Sequence, residues 1–338
     1  MSWFLILFVL LVAFFVLGHY GLPEEKQPPP PRPRPEQIME GAGPWRYEGD
    51  SGIAFLVCHG YGGSAFNTRP LGKFLQGLGH TAIGLLMPGH GTTIEDLART
   101  RFYHWEEYLE RVYLEERARY RKLFLVGFSM GGTACLKVAS RNADTFRPAG
   151  MITISTPVFL NGFYNGRFII HQPAAMITGV LKIVQPIVKL DKTRPASIER
   201  LNPWVGYRFS HALPAVHSFK RALPGVRRGL SRITVPYCSI MAANDRTVPP
   251  DNQTYIFNHI HSREKRAYMF IMPPDLTTMH SLLTHERARD RVLRYVETFI
   301  QETLEESGVA EKENGRSGGL SGWFRRKRLR RPQNLVEP

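Results

Sequence analysis

One stretch constrains this chain more than any other. Leu123-Phe124-Leu125-Val126 is a short apolar run, Gly127-Phe128-Ser129-Met130-Gly131 follows it, and Gly132-Thr133-Ala134-Cys135 continues with small residues at helix-compatible spacing. The pattern predicts a strand that turns tightly into a helix with a serine on the turn. A serine so placed has strained backbone angles, and glycines at 127 and 131 remove the Cβ atoms that would collide there. The strain lifts the Ser129 hydroxyl into the open. The helix beyond aims its first N–H groups and its dipole at negative charge developing beside that hydroxyl. Gly-x-Ser-x-Gly alone also matches by chance, so the rest of the chain must decide.

The flanking sequence supplies the sheet. Ile53–Cys58 is apolar throughout and opens into His59-Gly60-Tyr61-Gly62-Gly63, a loop able to turn backbone N–H groups inward. Thr81–Leu86, Met151–Ile154, Tyr237–Ala243 and Ala267–Met272 are further strands of the same kind. Helices fall between them: Thr92-x-x-Glu95 reads as a capping box, 105–120 as an amphipathic helix, and Arg287–Leu304 as a closing helix with Val292, Leu293, Tyr295, Val296, Phe299 and Ile300 facing inward. Alternating strands and helices predict an α/β fold with a doubly wound, mostly parallel sheet. Between about 156 and 232 the alternation stops. Pro173–Leu190 is apolar with Pro186 inside it, and aromatic residues and prolines follow. This segment is expected to be an inserted helical cap that walls the site and excludes water.

The ends of the chain differ from its middle. Residues 1–22 contain the unbroken apolar run Trp3–Leu17, long enough with its extension for a membrane-spanning anchor rather than a cleaved leader. Lys26, Arg32 and Arg34 follow it, which keeps the body of the protein cytoplasmic by the positive-inside tendency. Residues 23–42 are a proline-rich linker that favours extended geometry and is expected to hold the folded body, residues 43–305, off the bilayer. Residues 306–338 are polar, then basic, and are expected to be disordered. Lys and Arg total 44 against 29 Asp and Glu, a formal +15. Much of that excess sits in Trp323-Phe324-Arg325-Arg326-Lys327-Arg328-Leu329-Arg330-Arg331, where the aromatic and basic mixture suits an anionic membrane surface better than RNA. Cys58, Cys135 and Cys238 lie in apolar runs and read as buried core residues, and no His/Cys cluster argues for a metal.

Ser129, then Asp245 after a later strand, then His280 after the last one, gives the order Ser…Asp…His of a nucleophile, its orienting carboxylate and its general base. A serine hydroxyl is too weak an acid to attack an ester unaided, so His280 takes its proton and Asp245 steadies the imidazole. The backbone N–H groups of Met130 and Tyr61 are the candidates for binding the oxyanion. Asp251 and Asp275 compete with Asp245, and His261 and His285 with His280. Asp245 is preferred because it directly follows a strand, and His285 because of its place at the start of a helix is not. His59 and His90 read as loop-shaping hydrogen-bonding residues. His171, His211 and His217 in the insertion read as structural or exposed.

Taken together, His59-Gly60-Tyr61-Gly62-Gly63, Pro88-Gly89-His90-Gly91-Thr92, Glu95-Asp96-Leu97 with Trp105, Gly127-Phe128-Ser129-Met130-Gly131-Gly132, Asn244-Asp245 and Met279-His280 resemble the carboxylesterase and monoacylglycerol lipase branch of the α/β-hydrolase superfamily. The resemblance covers about residues 50 to 305. It implies the α/β-hydrolase fold, a triad at Ser129, Asp245 and His280, an oxyanion hole at Tyr61 and Met130, and cofactor-free hydrolysis of small-molecule acyl esters, either medium-chain esters or monoacylglycerols. Met279 departs from it, since many relatives carry glycine before the histidine. Two rival readings remain: acyl transfer or aminopeptidase chemistry by the same triad, and a non-catalytic membrane protein whose tail binds RNA or acidic partners.

Overall fold

The computed structural model describes residues 3–22, 25–273 and 278–313, with 306–313 described by backbone alone. Asp275 and the basic stretch 323–331 lie outside the described residues. The chain opens with helix α1 (Trp3–Tyr20), long and apolar enough to cross a membrane, with Gly18 its one buried residue among those described. The proline-rich stretch that follows is extended, as proline's fixed φ and missing N–H require, and ends in a single 3-10 turn at Pro35–Gln37. It does not stand away from the body. Gln27 accepts a hydrogen bond from His104 Nε2 at 2.9 Å and donates through its amide to the Tyr103 hydroxyl at 2.8 Å, and Lys26 pairs with Glu107.

The first half of the body contains β1 (Trp45–Tyr47), β2 (Ile53–Cys58), α2 (Arg69–Gly77), β3 (Thr81–Leu85), α3 (Ile94–Ala98), α4 (Phe102–Arg117), β4 (Lys122–Phe128), α5 (Met130–Arg141) and β5 (Gly150–Ile154). After an insertion the sheet resumes with β10 (Tyr237–Ala242), α9 (Asp251–His259) and β11 (Lys265–Phe270). Among the described residues these strands form one seven-stranded sheet in the order β1-β3-β2-β4-β5-β10-β11. All pairings are parallel except that of β1, an antiparallel edge strand with no counterpart in the expectations above. Its Trp45 ring fills the space beside Gly72 and Gly84, and its indole N–H donates to the Ala65 carbonyl at 2.7 Å.

Strands β2, β3, β5 and β10 are buried at every position because helices cover both faces of the sheet, which is why they read as continuous apolar runs and not as alternating ones. Phe55 on β2 and Phe124 on β4 stack at 4.8 Å between ring centroids. Truncating either ring to alanine would cost about 3 to 5 kcal/mol. The register pairs Cys58 with Gly127, Phe128 with Ile154, and Ile154 with Ile240. The carboxyl ends of β2, β4, β5 and β10 therefore come level at one edge, and the loops leaving them carry Tyr61, Ser129, Ser155 and Asp245.

Helix boundaries differ from the sequence reading, α4 for instance occupying Phe102–Arg117 and not 105–120. Thr93, not Thr92, caps α3, its hydroxyl accepting from the Asp96 N–H at 3.2 Å, while Thr92 donates to the Asp96 carboxylate at 2.8 Å. Helix α10 (Glu286–Glu313) runs past Leu304 into residues expected to be disordered. It begins in a compact unit that ends at Val296 and continues into a second unit from Glu297.

The insertion carries β6 (Asn161–Tyr164), β7 (Arg167–Ile170), α6 (Thr178–Val184), β8 (Ile187–Lys189), α7 (Ala196–Leu201), β9 (Ser210–Ala212) and α8 (Leu213–Gly229). It has the expected helices but also two small antiparallel sheets, β6 with β7 and β8 with β9. The first turns at Asn165-Gly166, with φ of 53° and 75°, the two-residue turn whose twist suits a hairpin. Helix α8 leaves the insertion to pack on α5.

Candidate active site

Ser129 stands between β4 and α5 with φ 53° and ψ −123°, a conformation that side chains rarely adopt. The turn is held by the Ser129 N–H donating to the Ile154 carbonyl at 2.8 Å and by the Ser129 carbonyl accepting from Thr133 at 3.1 Å. The glycines serve the tight crossing: Gly127 lies directly against Gly132, and a Cβ on Gly60 would come within 3.1 Å of the Ser129 Cβ. Gly60 thus lies against the serine side chain. Met130 is the first residue of α5, so its N–H is among those with no carbonyl to meet inside the helix.

Asp245 and His280 are brought together. His280 Nδ1–H donates to Asp245 Oδ2 at 2.7 Å, and both side chains are buried. The other carboxylate oxygen, Oδ1, accepts from the N–H groups of Thr247 at 2.7 Å and Val248 at 2.9 Å. The His280 ring lies 5.0 Å from that of Phe128, the residue immediately before Ser129. Its backbone is tied to β5's end by the Ser155 hydroxyl, which donates to the His280 carbonyl at 3.2 Å. Met279 has φ 51°, in the region where glycine is least strained. Among the described competitors, Asp251 opens α9 and pairs with Arg167, and His285 precedes α10. His261 follows α9 outside this cluster.

Beneath the loop after β2 sits a buried aromatic and imidazole cluster. The His59 ring accepts at Nε2 from the Met87 N–H at 3.1 Å and donates at Nδ1 to the Gly60 carbonyl at 2.8 Å, which fixes one neutral tautomer. Burial pushes its pKa down to about 4, against the smaller opposing effect of the Gly60 carbonyl. His90 is also held well below the usual value by burial and then by His59. Its Nδ1 meets the Pro88 carbonyl at 3.2 Å, while its buried Nε2 has no hydrogen-bond partner. Trp105 Nε1–H donates to the same Pro88 carbonyl at 3.0 Å. Both histidines shape loops, in keeping with the sequence reading. His217 is buried, its Nδ1 at 3.0 Å from the Thr178 hydroxyl.

Several residues of the site had no motif to announce them. Ser155 binds the His280 carbonyl, Asn252 the N–H of Val158 just after β5, Asn67 the N–H of Val205 in the insertion, and Tyr207 the Gly89 carbonyl in the loop after β3. Their signal is a polar side chain in an otherwise ordinary helix or loop, which only the tertiary partner makes meaningful. Among the described residues no group of three or more His, Cys, Asp or Glu is placed to hold a metal ion.

The chain is similar to the thermostable monoacylglycerol lipase of Bacillus sp. (strain H-257), 28% identical over 235 residues that cover 68% of this chain and 84% of that one. It is also similar to the carboxylesterase of Bacillus subtilis (strain 168), 22% identical over 249 residues covering 73% of this chain and 92% of the relative. In fold it resembles a lipolytic enzyme from the metagenome-derived pair LipS and LipT, with a TM-score of 0.63 at 22% identity, over 79% of this chain and 100% of that one. A family model described as serine aminopeptidase, S33, matches residues 51–272, and the chain belongs to that hydrolase family within the α/β-hydrolase superfamily.

Proposed function

We propose that the chain is a serine hydrolase that cleaves carboxylic esters, foremost lipid-derived ones such as monoacylglycerols or lysophospholipids, through an acyl-enzyme on Ser129. The observation that carries this reading is the Asp245–His280 contact at 2.7 Å beside the strained Ser129 turn. With Nδ1–H committed to Asp245, Nε2 presents a lone pair able to take the serine proton. Ser129 Oγ then bonds to the carbonyl carbon, and the resulting oxyanion takes hydrogen bonds from the Met130 and Tyr61 N–H groups, each worth roughly 3 kcal/mol of barrier. The imidazolium returns its proton to the departing alcohol as the ester C–O bond breaks. Water repeats the cycle on the acyl-enzyme, giving the free acid and restoring Ser129.

The same reading makes α1 a single-pass anchor with the body on the cytoplasmic side, supported by Lys26, Arg32 and Arg34 after the helix. The end of α1 is docked on the insertion. Gly18 and Gly179 allow backbone to approach backbone, Lys220 Nζ donates to the Gly18 carbonyl at 3.4 Å, and His217 Nε2 lies 3.3 Å from the Tyr20 carbonyl. A cap fixed to the anchor stays at the bilayer surface, where amphipathic esters collect. Ile183 and Val184 on α6, 60% and 78% exposed, suit that setting.

The family's description keeps peptide bonds as the rival substrate. The test is fluorophosphonate labelling of Ser129, followed by turnover of p-nitrophenyl acyl esters, monoacylglycerols and aminoacyl p-nitroanilides. Ester turnover that disappears in Ser129→Ala is expected. Cleavage of the anilides alone would overturn the ester reading, and an unlabelled, inactive chain would overturn catalysis by Ser129.

A further inference from the structure

The loop after β2 is rich in glycine, with Gly60, Gly62 and Gly63 around Tyr61. Glycine gives such a loop freedom, whereas an oxyanion donor works only when its N–H is held in place before the reaction. From the core side, His59 holds the Gly60 carbonyl. Within the loop the Gly63 N–H donates to the Gly60 carbonyl at 3.2 Å, and the Tyr61 ring lies edge-on to those of His90 and Trp105. The side-chain and backbone hydrogen bonds that reach residues 61–64 from distant parts of the chain come, among the described residues, from the insertion. The Tyr61 hydroxyl accepts from the Ala212 N–H at 2.9 Å and donates to the Ala212 carbonyl at 3.2 Å. The Gly62 carbonyl accepts from the Tyr207 N–H at 2.7 Å. The Ser64 hydroxyl donates to the Val205 carbonyl at 2.9 Å, and the Asn67 carboxamide meets Val205 twice, at 3.2 Å to its N–H and 3.2 Å to its carbonyl.

The same segment is fastened at two further points. The Tyr207 hydroxyl donates to the Gly89 carbonyl at 2.8 Å and accepts from the Thr92 N–H at 3.1 Å, which ties it to the loop after β3. Asn202 Oδ1 accepts from the Thr284 hydroxyl at 2.6 Å, which ties it to the chain just beyond His280. Gly206, at φ 149°, lies so close over Gly62 and Gly63 that a Cβ there would strike their backbone.

We infer that residues 202–212 form a strap that positions the Tyr61 N–H, so that the oxyanion hole is complete only while the cap is seated. Tyr61's hydroxyl, Ser64 and Asn67 are positioning groups: each acts on the attacked carbonyl solely through the backbone it holds. The inference rests on the proposed ester hydrolysis and deepens it, because it makes cap seating a condition for stabilising the transition state and not only for binding substrate.

Tyr61→Phe tests this, since it keeps the backbone N–H and removes only the grip on Ala212. With p-nitrophenyl butyrate, kcat is expected to fall about tenfold while KM stays within about twofold, the pattern of an interaction made in the transition state. Affinity for a trifluoromethyl ketone, which forms the tetrahedral adduct, should fall in parallel, and fluorescence melting should show the fold retained. An unchanged kcat, a loss confined to KM, or undiminished inhibitor affinity would overturn the inference. Should Tyr61→Phe fail to fold, Ser64→Ala removes one bond of the same strap, and a fall in kcat of about threefold at constant KM is expected, with no fall overturning it. An active wild type with an indifferent variant sinks this inference alone. An inactive wild type sinks the hydrolase reading and the strap with it.

Discussion

Asp245 Oδ2 and His280 Nδ1 lie 2.7 Å apart although 35 positions separate the two residues. The carboxylate cannot swing away, because Thr247 and Val248 hold its second oxygen at 2.7 and 2.9 Å. Asp245→Asn would turn a donor toward Nδ1 and favour the tautomer with its proton on Nε2, where a lone pair is required. On that ground kcat for ester turnover is expected to fall about ten-thousandfold near neutral pH, with circular dichroism unchanged. A loss of less than tenfold would take Asp245 out of the mechanism.

The docked end of α1 gives a second prediction. A Cβ at Gly179 would strike the backbone of Leu17, Gly18 and Gly21, so Gly179→Val should part α1 from the insertion while leaving the sheet and Ser129 untouched. Hydrolysis of soluble p-nitrophenyl butyrate is expected to stay within about twofold. On the proposed anchoring of α1 in the bilayer, hydrolysis of monoacylglycerol held in phosphatidylcholine vesicles should fall several-fold, because the insertion would no longer be held at the surface that carries the substrate. Equal effects on both substrates would mean that docking does not serve delivery.

The strands were legible because burial on both faces leaves unbroken apolar runs such as Ile53–Cys58, and Ser129 because a strained turn demands glycine on both sides. The last strand is shifted, occupying Lys265–Phe270 and not Ala267–Met272, because at the sheet's edge it is half exposed and loses the apolar signature. Edge strand β1 has no apolar run for the same reason, being only Trp45–Tyr47 and partly exposed. The Asn165-Gly166 hairpin does carry a local mark, since Asn-Gly is the dipeptide that favours a two-residue hairpin turn, but its strands are only four residues each and partly exposed, so they lack a long apolar run. The strap's contacts had no such mark. Tyr61 and Ala212 are 151 positions apart, and nothing in local spacing announces that one will hold the other.

Acid should destabilise the fold in a defined window. Burial holds His59 at about 4 and His80 at about 4, and burial with the cations Lys220 and Lys182 holds His217 at about 3, all below the 6.5 of a free imidazole. The unfolded chain therefore takes up these protons first as pH falls. Their contribution to stability is whole above about 6.5 and drains away down to about 4 for His59 and His80 and about 3 for His217, at about 1.4 kcal/mol per pH unit for each proton. Urea midpoints measured across that window should drop steadily. His59→Gln, able to keep a hydrogen bond without titrating, should remove about one proton from the slope, and an unaltered slope would exclude His59 from the acid response.

Asn252 carries the last prediction. It is fully buried at the start of α9, and its Oδ1 accepts from the N–H groups of Val158 at 2.7 Å and Phe159 at 2.9 Å. Its Nδ2 donates to the carbonyls of Phe159 at 3.0 Å and Pro249 at 2.9 Å. One carboxamide thus joins the first residues of the insertion to the turn that follows Asp245. Asn252→Ala would strand the N–H groups of Val158 and Phe159 and the Phe159 carbonyl, while the Pro249 carbonyl keeps the backbone N–H of residue 252 at 3.0 Å; each deserted donor or acceptor costs about 1 to 3 kcal/mol before relaxation. We expect a loss of about 3 to 4 kcal/mol in urea unfolding. Activity below the transition should fall less than tenfold, because Thr247 and Val248 still hold the Asp245 carboxylate. Asn252→Asp separates the two halves of the contact: it keeps the acceptor but sets a carboxylate against the Phe159 and Pro249 carbonyls. If the acceptor half dominates, Asp should be less harmful than Ala; if repulsion dominates, it should be worse, and a loss below 1 kcal/mol in both would show that the insertion is held elsewhere.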